Sequence, residues 1–282
     1  MQTALADFVR DTPAGRHADR ILRTCVHCGF CNATCPTYQL LGDELDGPRG
    51  RIYQIKQLLE GAAVSRTTLT HLDRCLTCRN CETTCPSGVH YGQLVEVGRE
   101  IAESRIGRPG WQRLARWLIR KVIPYPARFT PLLRLGQWFR PLLPPPLKAK
   151  VPPRRHAGAW PPARHARRML VLEGCVQPAI APDINAAAAR VLDRLGISLI
   201  AAPGAGCCGA ASQHTSGFEE AKAFARRNID AWWPSIEQGA EAIVMTASGC
   251  GVHVRDYGHF LHDDPVYAEK ARRVAELTRD LG

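Results

Sequence analysis

Twelve cysteines in 282 residues are the feature that most limits what this chain can fold into. Eight of them lie between Cys25 and Cys85, where one run, Cys-x2-Cys-x2-Cys-x3-Cys-Pro, begins at Cys25 and again at Cys75. They are too few and too clustered for a secreted disulfide scaffold of this length. The N-terminal residues contain neither an apolar signal core nor a twin-arginine pair, which predicts a cytoplasmic protein. In a reducing compartment, clustered thiols indicate metal ligation.

The spacing of each run is that of the bacterial ferredoxins. Three close thiolates suit three irons of one 4Fe–4S cubane, and in two-cluster ferredoxins the fourth cysteine ligates the other cluster. The sequence therefore predicts two 4Fe–4S clusters that exchange their fourth ligands. Site one comprises Cys25, Cys28, Cys31 and Cys85, and site two comprises Cys75, Cys78, Cys81 and Cys35. Zinc sites usually use two Cys-x2-Cys pairs, so eight cysteines with a proline after every fourth argue against zinc.

The residues around the two runs have helical rather than strand patterns. Pro48 near the start, apolar residues at helical spacing and Gly61 beyond the end predict a helix over 48–60. A second helix is expected over 90–103. Four basic residues near the runs are candidates for offsetting cluster charge, with an ordinary surface role as an equally good interpretation: Arg23, His27, Arg74 and Arg79.

The C-terminal part alternates short apolar runs with helical patterns, which predicts a parallel α/β sheet. The expected strands are 169–173, 197–202 and 242–246, and the expected helices are 182–195, 218–229 and 266–281. Each of the last four cysteines follows a predicted strand: Cys175, Cys207, Cys208 and Cys250. Ligands tend to bind at that edge of a parallel sheet, so a third metal or redox site is one interpretation and buried apolar thiols are the other. Four histidines are further candidates, although a structural role is commoner for each: His214, His253, His259 and His262.

The net charge of +11 is concentrated in one segment. Residues 104–172 contain 16 Lys and Arg, no Asp or Glu, and 12 of the 21 prolines. Residues 111–123 are expected to form a basic amphipathic helix, and the apolar pattern continues beyond Pro124. Such a segment suits an anionic membrane interface or a partner subunit, and a proline-rich tether is the alternative. Nucleic acid ranks last as a partner, because no recognition motif accompanies the basic residues.

These motifs together resemble a known family, the iron–sulfur subunits of bacterial glycolate oxidase (glycolate dehydrogenase). The resemblance rests on the duplicated run, on the helix Gly-Pro-Arg-Gly-Arg-Ile-Tyr-Gln-Ile-Lys-Gln-Leu-Leu-Glu-Gly, and on Cys207-Cys208-Gly209, which matches the CCG motif. The segments Ala247–His259 and Asp263–Ala271 are similar to the glycolate oxidase branch in particular. Two features depart from the family pattern. Ala247 stands where the general CCG motif has a cysteine, and one CCG half is present where the family usually has two, which suggests a shortened form.

The resemblance implies an α plus α/β protein. We expect an α-helical two-cluster ferredoxin domain over residues 1–108, a Pro/Arg-rich connecting segment over 109–167, and one parallel α/β CCG half over 168–282. It also implies an electron-transfer subunit without catalytic residues of its own. An FAD-containing subunit would oxidise glycolate to glyoxylate, and electrons would pass through the two clusters toward a membrane quinone.

The implied surface for the quinone pool or membrane is residues 109–150, and the implied location is cytoplasmic and peripheral on the inner membrane. Alternatives within redox proteins are the iron–sulfur subunit of a lactate-utilisation, glycerol-3-phosphate or heterodisulfide-reductase-type complex. An alternative of another class is a non-catalytic iron–sulfur sensor or binding protein.

Overall fold

The computed structural model describes residues 1–281, which form two compact units. The first unit comprises Met1–Gln112, and the second begins at Arg113. The α-helices of the first unit are α1 (Asp7–Arg10), α2 (Pro13–Thr24), α3 (Pro36–Leu41), α4 (Pro48–Leu59), α5 (Arg66–Asp73), α6 (Asn80–Thr83) and α7 (Tyr91–Ile106). Helix α8 (Gly110–Val122) spans the boundary between the units. The helices predicted over 48–60 and 90–103 are thus confirmed, as α4 and α7.

The core of the first unit lies between α2, α4, α5 and α7. Helix α4 begins with Pro48, whose missing N–H costs nothing at a helix start, and it buries Ile55, Leu58 and Leu59. Helix α7 approaches α4 closely because Gly98 has no side chain. A Cβ atom at Gly98 would lie 2.6 Å from Cγ1 of Ile55. This packing holds the two cysteine runs, which flank α4 and α5 in the sequence, in one small core.

The second unit is an α/β domain. Its remaining helices are α9 (Pro126–Phe139), α10 (Pro145–Lys148), α11 (Gln177–Ile180), α12 (Pro182–Arg194), α13 (Ala210–Gln213), α14 (Phe218–Glu237), α15 (Ser248–Arg255), α16 (Tyr257–Phe260) and α17 (Ala268–Leu277). Its strands are β1 (Arg167–Val171), β2 (Ile197–Ala201), β3 (Ile243–Met245) and β4 (Thr278–Asp280). The strand order is β2-β1-β3-β4 and every pairing is parallel, as predicted.

Both faces of this sheet are covered, which explains why its strands are apolar runs rather than alternating patterns. Val171 and Val244 belong to a core that includes Leu192 of α12. Leu170 and Ile243, their neighbours along the strands, belong to the opposite core, with Trp232 and other residues of α14 and α17. The carboxyl end of β1 leads into the loop that contains Cys175, and that of β3 leads through two residues into α15, which contains Cys250.

Three predicted elements differ from the structure. Helix α14 runs to Glu237 rather than to residue 229, because the fully buried Trp232 keeps the helix on the core despite Pro234 within it. The helix predicted over 266–281 was wrong at its end, where Thr278–Asp280 forms β4. These residues leave the helix because their backbone pairs with β3 along the edge of the sheet. The first strand lies at Arg167–Val171, two residues before its predicted position.

Within the second unit, the connecting segment contacts α14 and the residues just before it. Helix α8 coincides with the predicted basic helix. Arg120 donates to the carbonyl of Thr215 at 2.8 Å, and Lys121 pairs with Glu220 at 2.8 Å. The ring of Tyr125 lies 5.7 Å from that of Phe224 on α14. Within residues 1–281, no helix has both the length and the apolar character needed to cross a bilayer.

Candidate metal centres

Both cysteine runs fold into the same tight loop. His27 and Thr77 occupy equivalent positions and have positive φ angles of 59° and 54°. Gly29 and Arg79 are also equivalent, with φ angles of 88° and 60°. Non-glycine residues seldom adopt this left-handed conformation, and here it turns backbone N–H groups toward sulfur. The N–H of His27 bonds to Cys25, and that of Thr77 donates to Cys75 Sγ at 3.4 Å.

The eight thiols line two neighbouring cavities. The four cysteines of site one line one cavity, and the four cysteines of site two line a second cavity. Pro48, Cys81 and Tyr91 line both cavities and therefore lie between the two sites. Cys85 from the second run lies with the first, and Cys35 from the first run lies with the second. The donor set thus fits two iron–sulfur clusters and is compatible with exchanged fourth ligands, which stay a prediction.

Burial distinguishes the thiols within each site. Cys25, Cys35 and Cys81 are buried, whereas Cys28 and Cys78 are exposed at equivalent positions of the two loops. Burial, together with the nearby Cys25 thiol, raises the pKa of Cys31 to about 11. Burial likewise raises the pKa of Cys25 and, further, that of Cys81. Thiols that hold their protons this firmly become thiolates when a metal ion takes the place of the proton.

A buried ion network that the sequence analysis missed joins the two segments of site two. The fully buried Asp46 accepts hydrogen bonds from His71 at 3.0 Å, Arg51 at 3.3 Å and Arg74 at 2.7 Å. Burial favours the protonated acid, but the bonds from His71 and Arg74 outweigh it and lower the pKa of Asp46. Arg51 also donates to Thr37 Oγ1 at 3.1 Å, and Thr37 lies two residues after Cys35.

Two further residues missed from the sequence hold the loop of site two. The buried Arg99 of α7 donates to the carbonyl of Leu72 at 2.8 Å and to that of Cys75 at 2.6 Å. The hydroxyl of Tyr91 donates to Cys75 Sγ at 3.5 Å. No spacing pattern announces such residues, because each acts on a segment 16 or more positions away in the chain. The hydrogen bonds fix the backbone that presents Cys75 to the cavity.

The four basic candidates have different positions. Arg23 pairs with Asp19 at 2.7 Å, and Arg74 belongs to the Asp46 network. His27 lines the cavity of site one. Arg79 lines the cavity of site two. The structure therefore brings two of the four into direct contact with a cavity.

The last four cysteines, which we term the CCG site, come together at the carboxyl edge of the sheet. Hydrogen bonds connect Cys175 with Cys207, Cys207 with Cys208, and Cys208 with Cys250. The bonds from Cys175 and Cys208 lower the pKa of Cys207, whereas its bond to Cys207 and burial raise the pKa of Cys175. Four thiols in mutual contact are a donor set suited to a soft metal centre.

Buried polar residues support the CCG loop. Asn228 is fully buried, donates to the carbonyl of Cys207 at 2.9 Å, and accepts from the N–H of Gly206 at 2.9 Å. The hydroxyl of Tyr257 donates to the carbonyl of Cys208 at 2.7 Å. Both residues were missed from the sequence, since each reaches the loop from a distant helix. They hold the two adjacent cysteines in a fixed orientation.

The four candidate histidines fall into two pairs. His253 is buried against Gly209, and its ring lies 6.3 Å from that of His214. His259 and His262 stack on each other, with ring centroids 5.9 Å apart. The structure thus brings His253 to the CCG loop.

Comparisons with known proteins agree with this arrangement. Residues 21–89 match the family described as a 4Fe-4S dicluster domain, and residues 169–255 match the family described as a cysteine-rich domain, CCG. These matches show an iron–sulfur protein with an α-helical ferredoxin-type part and an α/β CCG part. No solved structure matches the chain.

The curated relatives are more specific. The chain is 58% identical to the glycolate oxidase iron-sulfur subunit of Escherichia coli (strain K12) over 282 residues, which cover 100% of this chain and 69% of that protein. It is 29% identical to the probable glycolate oxidase iron-sulfur subunit of Bacillus subtilis (strain 168), over 92% of this chain and 64% of that protein. Lactate utilization protein A of Bacillus licheniformis is 28% identical over 38% of this chain and 43% of that protein. The chain therefore belongs to the family of glycolate oxidase iron–sulfur subunits.

Proposed function

We propose that the chain is the electron-transfer subunit of a glycolate-oxidising complex and performs no substrate chemistry itself. The observation that carries this proposal is the placement of eight thiols around two neighbouring cavities that share Cys81 and Tyr91. Each 4Fe–4S cluster, when bound at sites one and two, supplies one-electron transfer. The chain's own residues hold the thiols, exclude water from Cys25, Cys35 and Cys81, and leave Cys28 and Cys78 at the surface.

The partners of this proposal are an FAD-containing subunit and a quinone. Oxidation of glycolate to glyoxylate releases two electrons and two protons, and the flavin subunit performs that step. This division of labour is supported by the glycolate oxidase name of the E. coli relative. The proposed location is cytoplasmic and peripheral on the inner membrane.

Residues 109–150 are the proposed membrane surface. Large apolar side chains on α8 and α9 are exposed, including Trp111 at 71% and Trp138 at 75%. Three basic residues of α8 point away from this surface and contact Ser216, Thr215 and Glu220: Arg116, Arg120 and Lys121. A cationic segment with exposed tryptophans suits the interface of an anionic bilayer. Deletion of the segment is expected to release the complex from membranes into the soluble fraction.

The CCG site is a proposed third iron–sulfur centre, held by Cys175, Cys207, Cys208 and Cys250. The support for this proposal is that hydrogen bonds connect all four thiols. Cysteines that serve only as apolar core residues have no need to lie together in this way. The absence of a cysteine at position 247 leaves four donors rather than five. Iron analysis of the variant Cys207→Ser Cys208→Ser distinguishes this proposal, because it predicts a loss of iron without any change at sites one and two.

The experiment that tests the main proposal is anaerobic reconstitution of the chain, followed by iron analysis and mixing with the flavin subunit. We expect at least about eight irons per chain, and reduction of the bound centres by glycolate only when the flavin subunit is present. Fewer irons would contradict two complete clusters. Glycolate oxidation by this chain alone would contradict the conduit role.

A second candidate is a role in lactate utilisation, which the partial match to lactate utilization protein A favours. The two candidates differ in the flavoprotein partner. Purification of the complex from its source and assay of the attached flavin subunit with glycolate and with lactate separates them.

A further inference from the structure

A cavity of about 310 Å³ opens at the carboxyl edge of the sheet. Its walls come from the residues after β1, including Leu172 and Ile180, and from the end of β3 and beyond, including Met245 and Ala247. Strand β2, which follows β1 in the chain, pairs with one edge of β1, and strand β3, which comes next, pairs with the other edge. The cavity therefore lies at the point where the strand order reverses, which is where open parallel sheets most often bind ligands. Its volume lies at the lower end of the range of about 300–1,000 Å³ that is typical of small-molecule sites.

The lining selects for a neutral and largely apolar ligand. Among the described residues that line the cavity, none is a lysine, arginine or histidine, so a carboxylate such as glycolate has no cation to pair with there. The polar wall consists of Gln177 and Thr246. The amide nitrogen of Gln177 donates to Asn185 at 2.8 Å and to Thr246 at 2.7 Å, which leaves its carbonyl oxygen as the acceptor for a ligand.

Two cysteines form one side of the cavity. Cys175 and Cys250, the outer two thiols of the CCG site, line it, whereas the buried Cys207 and Cys208 lie behind them. Ala247 lines the same side, and its small side chain leaves space beside Cys250. A ligand in this cavity therefore lies beside the proposed third iron–sulfur centre, which these thiols would hold.

One wall connects the cavity to the proposed membrane surface. Helix α11, which includes Gln177 and Ile180, contacts α9 of the connecting segment. Helix α9 exposes Leu132 and Leu135 at 56% and 51%. The proposed membrane surface and the wall of the cavity therefore meet where α9 contacts α11. This continuity favours a ligand that is delivered from a lipid phase.

We propose that this cavity binds the ring of a quinone, a neutral and lipophilic electron acceptor. The proposal rests on the proposed function and places the acceptor of that electron transfer within this chain. Reduction of a quinone to its quinol takes two electrons and two protons, the same numbers that oxidation of glycolate to glyoxylate releases. The carbonyl oxygen of Gln177 accepts a hydrogen bond from a hydroxyl of the quinol product.

The test is equilibrium dialysis of the anaerobically reconstituted full chain against duroquinone, whose fully methylated ring does not readily add to thiols. We expect saturable binding of one molecule per chain. Ala247→Phe and Ile180→Trp, which fill the cavity from opposite walls, are each expected to weaken binding at least tenfold. Val191→Phe, at an exposed position of α12 outside the cavity, is the matched control and is expected to leave binding unchanged. Glycolate in thousandfold excess is expected not to displace the quinone.

Several results would overturn the assignment. These are the absence of saturable binding, binding that both cavity variants leave intact, or displacement by glycolate. Iron content and thermal unfolding of each variant show whether it has folded. Because the two substitutions lie on different walls, the test still works if one of the variants does not fold. Reduction of the bound centres by the flavin subunit is measured separately. If reduction is intact but duroquinone does not bind, the cavity assignment fails and the proposed function stands. If reduction fails while duroquinone binds, the proposed function fails instead.

Discussion

Tyr91 shows how a single residue distinguishes two sites that look alike in the sequence. Both loops have a backbone donor to their first cysteine, but Cys75 of site two also accepts from the Tyr91 hydroxyl at 3.5 Å. Hydrogen bonds to cluster sulfur raise the reduction potential, because they stabilise the more negative reduced state. Tyr91→Phe removes the donor and keeps the ring. We expect a lower potential at site two by roughly 40 mV, the one-electron equivalent of about 1 kcal/mol.

A redox titration followed by electron paramagnetic resonance measures this effect, since it resolves the signals of the two clusters. An equal shift at both sites would mean that the variant changes the packing around both cavities, since Tyr91 lines each of them. An unchanged potential at site two would show that the hydroxyl does not contact a cluster ligand.

Asp46 has a structural role at the same scale. Its carboxylate pairs with both Arg51 and Arg74, so Asp46→Asn leaves two guanidinium groups with reduced compensation, one of them fully buried. We expect a loss of about 3–5 kcal/mol in the free energy of unfolding of the first unit. Urea unfolding followed by cluster absorbance measures it. Asp7→Asn, which removes an exposed pair with Arg10, is the control and is expected to cost about 0–1 kcal/mol. Similar costs for the two variants would contradict the network's role.

The residues that bind metal could be predicted from the sequence, and those that support them could not. Cysteines at fixed spacing act within one loop, so their pattern is visible along the chain. Asp46, Arg99 and Asn228 act on partners between 5 and 28 positions away, with no repeated spacing. Their roles depend on how the helices pack, which local patterns do not contain.

At the scale of elements, the approach of α7 to α4 depends on Gly98. A methyl group there would lie 2.6 Å from Ile55 Cγ1, in a core where neither helix can move without shifting a cysteine run. Gly98→Ala is therefore expected to destabilise the first unit by about 1–3 kcal/mol, although alanine is the better helix former. Gly110→Ala on α8, where no atom lies within 4 Å of the new methyl, is expected to be neutral or stabilising. Thermal unfolding of both variants makes the comparison, and equal effects would contradict close packing at Gly98.

The elements differ in how well their sequences specify them. Four elements lie close to their predicted positions, because a proline at the helix start and apolar periodicity act locally: helices α4 and α12 and strands β2 and β3. Strand β4 was predicted as part of a helix, since Thr278–Asp280 becomes a strand only by pairing with β3. The extension of α14 beyond Pro234 likewise depends on tertiary burial of Trp232.

At the scale of the whole molecule, the parallel sheet and the helical first unit followed from the sequence, whereas the packing of the connecting segment did not. A basic amphipathic helix specifies that one face is apolar, but not which surface the helix contacts. Only the structure shows that Arg120, Lys121 and Tyr125 contact α14 and the residues just before it. The limits of the sequence-based domains, 1–108, 109–167 and 168–282, accordingly stay a prediction.

The central claim is that the two runs hold two clusters with exchanged fourth ligands, and the most direct test is to remove each fourth cysteine. Paramagnetic resonance spectra of the reduced, reconstituted Cys85→Ala and Cys35→Ala variants are compared with those of Cys28→Ala and Cys78→Ala. We expect Cys85→Ala to alter the same cluster signal as Cys28→Ala, and Cys35→Ala to alter the same signal as Cys78→Ala. If Cys85→Ala instead alters the signal that Cys78→Ala alters, each run binds its own cluster and the fourth ligands are not exchanged.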